Sequence, residues 1–135
     1  MIKRLESGPR MSQAVVHGNT VYLAGQVADD PSVDVAGQTR QVLANIDKLL
    51  VAAGSDKTRI LSVTIYLPNI GTFAQMNSEW DAWVPQGHTP ARATGAPSMK
   101  VEVRVELVVD GTMPRSVICW NERSLRPELT LLMVM

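Results

Sequence analysis

The chain holds one cysteine, Cys119, so no internal disulfide can form and a reducing compartment is expected. Aromatic residues are nearly as scarce, with one Phe, two Tyr and three Trp, so the core must be built from Val, Leu, Ile, Met and Ala. That composition suits β-branched sheet faces packed on helices. Charge of one sign is missing too. Thirteen basic residues balance thirteen acidic ones, and no Lys/Arg cluster is interleaved with aromatics. Nothing therefore points to nucleic acid as a partner. No apolar run is long enough to span a bilayer, and Met1-Ile2-Lys3-Arg4-Leu5-Glu6 lacks the apolar stretch of a secretory signal. A cytoplasmic location with no membrane partner is the expectation.

Several kinds of site chemistry are also missing. His17 and His88 stand far apart, and no Cys or carboxylate cluster has metal-ligand spacing. Gly8, Gly18 and Gly25 match neither a dinucleotide fingerprint nor a P-loop. Ser12 lacks the flanks of a nucleophile elbow, and Cys119 has no evident base nearby. No metal or cofactor is expected. An enzyme of this composition would rely on binding and proton handling, as in hydrolysis or tautomerisation of an already reactive small molecule.

At 135 residues the chain fits one domain. Ala14–His17 and Val21–Ala24, parted by Gly18-Asn19-Thr20, read as a β-hairpin, and Gly25 follows where a strand can admit close backbone approach. Asp34 is a candidate N-cap for a helix with Val35, Val42, Leu43, Ile46, Leu49 and Leu50 on one stripe, stopped by Gly54. Ile60–Leu67 reads as a strand with Leu61, Val63, Ile65 and Leu67 on one face. A second helix begins near Thr72, where Phe73, Met76, Trp80 and Trp83 form a stripe that reads as core. Val101–Val109 alternates apolar residues with Glu102, Arg104 and Glu106, which is a strand pattern.

The first helix is expected to be a crossover between parallel strands, Val21–Ala24 and Ile60–Leu67. The expected architecture is α+β, with two helices on one face of a sheet whose other face invites self-association. Residues 1–110 form the expected domain. Residues 111–135 break the pattern, and their apolar run Leu129–Met135 suits a docking strand, an oligomer contact or a disordered appendage equally well.

Arg92 carries the strongest functional signal. It follows Thr89-Pro90-Ala91, a segment stiffened by the proline ring. Its guanidinium keeps its charge and offers a planar fork that matches a carboxylate. Glu102 follows as a possible acid/base or water-holding partner. An ordinary surface ion pair is the plain alternative for any arginine.

The ordered segments Gly8–Val15, Gly18–Val27, Gln38–Ile46, Phe73–Asn77, Pro90-Ala91-Arg92 and Val101-Glu102-Val103 resemble the reactive-intermediate deaminase family (Rid, or YjgF). The resemblance implies a chorismate-mutase-like α+β fold with a mixed sheet, assembled as a homotrimer with clefts between subunits. It implies hydrolysis of 2-imino acids, arising from 2-enamino acids, to 2-oxo acids and ammonia. It assigns carboxylate binding to Arg92, water activation to Glu102, and cleft-lining positions to Gly25, Ala24 and Asn77. Met11 departs from a tyrosine of the family pattern, Ala24 from a small hydroxyl residue, and Thr94 from a cysteine. The stretch between Arg92 and Glu102 is also short. A non-catalytic binder of small carboxylates on the same fold is the alternative expectation. A ribonuclease is disfavoured by the neutral charge and the lack of a His/Lys pair.

Overall fold

The computed structural model describes residues 1–96 and 132–134. The expected strand Val101–Val109, with Glu102, and most of the segment 111–135 lie outside them. Three antiparallel strands, β1 (Ile2–Ser7), β2 (Ser12–His17) and β3 (Thr20–Leu23), form one sheet. The β2–β3 hairpin is the expected one, and Gly18 takes φ +59° in its turn, a conformation that glycine adopts without the Cβ clash. β1 was not foreseen. Its sequence IKRLES shows no apolar alternation, because it is an outer strand that is largely exposed apart from half-buried Leu5.

A second sheet has the order β4-β7-β5-β6, from β4 (Gln26–Val27), β7 (Leu132–Val134), β5 (Ser62–Tyr66) and β6 (Ala91–Gly95). β7 runs antiparallel to both of its neighbours, whereas β5 and β6 are parallel. The sheet is therefore mixed. Part of the apolar run Leu129–Met135 is thus a strand seated between β4 and β5.

α1 (Val35–Ala52) starts as expected. The Asp34 carboxylate accepts the Gly37 N–H at 2.8 Å, which satisfies one of the otherwise unpaired donors of the first turn. Gly54, at φ +78°, ends it. Val35, Val42, Leu43, Ile46, Leu49 and Leu50 are all buried. Two polar residues share that burial: Thr39 returns its hydroxyl to the Val35 carbonyl at 2.7 Å, and Gln38 donates to the carbonyls of Pro31 and Val33 at 2.9 Å each. Gln38 thereby ties down the loop that leads into the helix.

The crossover expectation needs correcting in one respect. Val21–Leu23 belongs to the three-stranded sheet, so α1 carries the chain from β4, not from β3, to β5. β4 and β5 do run parallel, since each is antiparallel to β7. The break at Ala24-Gly25 is what moves the chain from one sheet to the other. On β5, Val63 and Ile65 are buried as expected and Leu67 beyond its end is too, but Leu61 is 37% exposed. It lies ahead of the strand proper, where the alternation no longer governs.

α2 (Phe73–Trp83) returns the chain to β6 and packs on α1. The Trp83 indole N–H donates to Asp47 of α1 at 2.9 Å, and Lys57 lies over the same ring at 5.3 Å from its centroid. Arg40 and Glu79 join the same two helices through an exposed ion pair of 2.5 Å.

Candidate functional site

Arg92 sits on β6, the edge strand among those described, in register with Val63 of β5. Directly paired residues of a parallel ladder share a face. Val63 is buried, so Arg92 projects to the same core side, which α2 covers. There its Nη1 donates to the Asn77 side-chain oxygen at 2.7 Å. Its guanidinium carbon lies 5.3 Å from the ring centroid of Trp80 and 5.8 Å from that of Phe73, within cation–π range of both.

Helical spacing explains the convergence. Residues 73, 77 and 80 follow one another at intervals of four and three, so α2 carries their side chains on one stripe. Phe73 is 37% exposed and Trp80 only 5%, so the guanidinium spans from the interior toward the surface. The expectation that Phe73, Met76, Trp80 and Trp83 are all core holds for Met76 and Trp80, holds in part for Trp83, which is half-buried against the core, and fails for Phe73. Phe73 and Trp80 flank the arginine, a role sequence reasoning missed. Their spacing with Asn77 was visible, but their common partner Arg92, on a strand fifteen residues beyond Asn77, was not.

Thr94 shares the Arg92 face, paired with Ile65. Its hydroxyl is a buried side-chain polar atom with no hydrogen-bond partner among the described residues. Among those residues no group of His, Cys, Asp or Glu is arranged to hold a metal ion, and no helix is long and apolar enough to cross a membrane.

Arg92 and Asn77 are therefore brought together, while Ala24 and Gly25 are not near them. These two residues form the link between β3 and β4. A pair of glutamines braces the link: the Gln26 amide donates to Gln13 Oε1 at 3.0 Å and to the Ala24 carbonyl at 3.1 Å, and the Ala24 N–H donates to the Gln13 carbonyl at 2.9 Å. Gly25 itself is exposed. Among the described strands, β4 and β6 are the opposite edges of this sheet. Three strand spacings separate them, roughly 14 Å. Glu102 lies outside the described residues.

An α+β chain with a mixed sheet and an arginine braced on its edge strand defines a class, and comparison with known proteins resolves it further. The family model described as "Endoribonuclease L-PSP" matches residues 1–112. A RutC family protein of Haemophilus ducreyi is 38% identical over 115 residues, 82% of this chain and 98% of the relative. The RutC family protein YoaB of Escherichia coli is 41% identical over 113 residues, 80% of this chain and 98% of its own. A rat protein named 2-iminobutanoate/2-iminopropanoate deaminase is 38% identical over 88 residues, 61% of this chain and 64% of the relative. Among solved structures, an uncharacterised protein of Pseudomonas aeruginosa superposes with a TM-score of 0.76 at 38% identity, covering 99% of this chain and 95% of its own. A YjgF-family member from Neisseria meningitidis reaches 0.76 at 33% identity, covering 98% and 90%. The chain belongs to the Rid/YjgF family, a family that includes 2-iminobutanoate/2-iminopropanoate deaminases.

Proposed function

We propose that this protein hydrolyses reactive 2-imino acids, and the 2-enamino acids that tautomerise to them, to 2-oxo acids and ammonia. The observation that carries this reading is the bracing of Arg92: a charged fork fixed by Asn77, Trp80 and Phe73, with donors left unengaged among the described residues. The activity named for the rat relative supports it.

In this reading Arg92 grips the substrate carboxylate. The imine carbon is electrophilic enough for water to add once substrate and water are aligned, so positioning supplies most of the catalysis. Glu102 holds that water or accepts its proton. Water adds to the C=N carbon, the amine takes up protons and leaves as ammonia, and the carbon becomes the 2-oxo carbonyl. The backbone at Ala24-Gly25 lines the cleft. Since Gly25 and Arg92 of one chain lie toward opposite edges of the sheet, a cleft using both draws on two copies of the chain. A homotrimer with one cleft at each subunit contact, free in the cytoplasm and independent of nucleic acid and membrane, fits that requirement.

The test couples the protein to an enzyme that generates 2-iminobutanoate and follows ammonia and 2-oxobutanoate release. Acceleration by the protein, lost in Arg92→Ala and Glu102→Gln, is the expected result; no acceleration contradicts the reading. Ala24, standing where the resemblance places a hydroxyl residue, favours one competing reading, a carboxylate binder without turnover. That reading predicts 2-oxo acid binding without any gain in ammonia release.

A further inference from the structure

We propose that α2 is the positioning element for Arg92, with Asn77, Phe73 and Trp80 fixing which edge of the guanidinium meets the ligand. This rests on the carboxylate-binding reading above and deepens it, because it changes what Asn77 does. The resemblance implies that Asn77 lines the cleft beside the substrate. Its side-chain oxygen is instead engaged by Arg92 Nη1 at 2.7 Å.

A guanidinium has five N–H donors in a rigid plane. Nη1 lies on the side of the group nearest Cδ, while Nε–H and one Nη2–H point in parallel from the other edge. Asn77 takes up Nη1. Among the described residues, Nε and Nη2 have no hydrogen-bond partner. Among the described residues the Nε/Nη2 edge is the one with both donors unengaged, and it suits two parallel hydrogen bonds of the bidentate kind. The rings of Trp80 and Phe73 are close enough to hold the plane of the fork by cation–π attraction. An unbraced arginine would have to immobilise a long side chain each time it bound. Here Asn77 and the two rings of α2 supply that ordering. Asn77, Phe73 and Trp80 are positioning residues that act through Arg92.

A double-mutant cycle separates this role from direct contact with the ligand. The probe is 2-oxobutanoate, titrated calorimetrically into wild type, Asn77→Ala, Arg92→Lys and the double variant, with thermal midpoints recorded for each. Asn77→Ala is expected to weaken binding about tenfold in the wild-type background and less than about twofold when Arg92 is already lysine. In turnover, KM should rise by the same factor as binding weakens, with kcat changing much less. Asn77→Asp, of the same size, should also weaken binding tenfold or more, because its charge captures the guanidinium, while the thermal midpoint holds or rises. Equal losses from Asn77→Ala in both backgrounds overturn the inference, since Asn77 would then act on the ligand directly. So does undiminished binding in both Asn77 variants while Arg92→Ala still abolishes it; in that case the carboxylate-binding reading survives alone. Wild-type protein that binds no 2-oxobutanoate overturns both.

Discussion

The two helices present apolar stripes that look alike in sequence and do different work. The stripe of α1 is consumed by the core: Val42 and Ile46 are fully buried, and Leu43, Leu49 and Leu50 nearly so. The stripe of α2 is divided. Met76 is fully buried beside the sheet, while Phe73 and Trp80 turn to the Arg92 guanidinium and Trp83 to Asp47 and Lys57. Aromatic rings allow this, because one ring offers both apolar area for burial and a π face for a cation. An aliphatic stripe offers only the first. The difference separates a helix that holds the fold from one that also braces Arg92.

That contrast gives an ordered set of expected outcomes. The largest is functional and lies on the α2 side. On the proposed reading, in which Arg92 pairs with a substrate carboxylate, Arg92→Ala should lower kcat/KM for imine hydrolysis by about a thousandfold. The circular dichroism spectrum should be retained; a wild-type rate in this variant removes Arg92 from the site. Ile46→Ala on α1 should do the reverse. Deleting a fully buried aliphatic side chain costs about 3 kcal/mol, read as a shift in the urea midpoint, while turnover per folded molecule is unchanged. An unshifted midpoint would show that the α1 stripe is not the core.

Smaller effects sharpen the same comparison. Asp34→Ala removes the N-cap of α1 and should cost about 1 kcal/mol in the same unfolding experiment, with hydrogen exchange rising first at the helix start. Arg40→Ala cuts the exposed ion pair between the two helices and should cost less than about 0.5 kcal/mol, because solvent screens such pairs. A loss above 1 kcal/mol would mean the helices are coupled more tightly than their packing implies.

The smallest effect concerns Asp56, whose carboxyl is held below its usual value of 3.8 by hydrogen bonds from the Thr58 hydroxyl and N–H. A lowered folded-state value stabilises above the unfolded value and is lost as pH falls through the folded one. Asp56→Asn should therefore lower stability slightly above pH 3.8 and flatten its loss below that pH, in acid titrations followed by circular dichroism.

Much of the fold was legible in the residues. Asp34, the Val42-to-Leu50 stripe and Gly54 specify α1 through local hydrogen bonding and a 3.6-residue period, both properties of neighbouring residues. The β2–β3 hairpin was equally local, set by Gly18 between two alternating runs. β1 escaped notice because an outer strand buries almost nothing and leaves no alternation to read. The seating of Leu132–Val134 between β4 and β5 escaped for another reason. Three residues whose pairing partners lie more than sixty residues away carry no signal of which strands they will join.

The site divides along the same line. Arg92 stood out from its own chemistry and from the stiffened Thr89-Pro90-Ala91 approach, and Asn77 from the resemblance. Nothing in the chain order announced that Asn77 Oδ1 would meet Arg92 Nη1, or that two rings read as core would flank a guanidinium.

By itself, then, the sequence determined the helices, the hairpin, the family and the arginine, because periodicity, capping and turn chemistry act between near neighbours. The tertiary structure alone decided that α2 braces Arg92, that Asn77 meets it at Nη1, and that Gly25 lies across the sheet from it. Those outcomes depend on how strands are ordered and which helix face meets which strand. Contacts between distant segments settle such things, and only the folded chain brings those segments together.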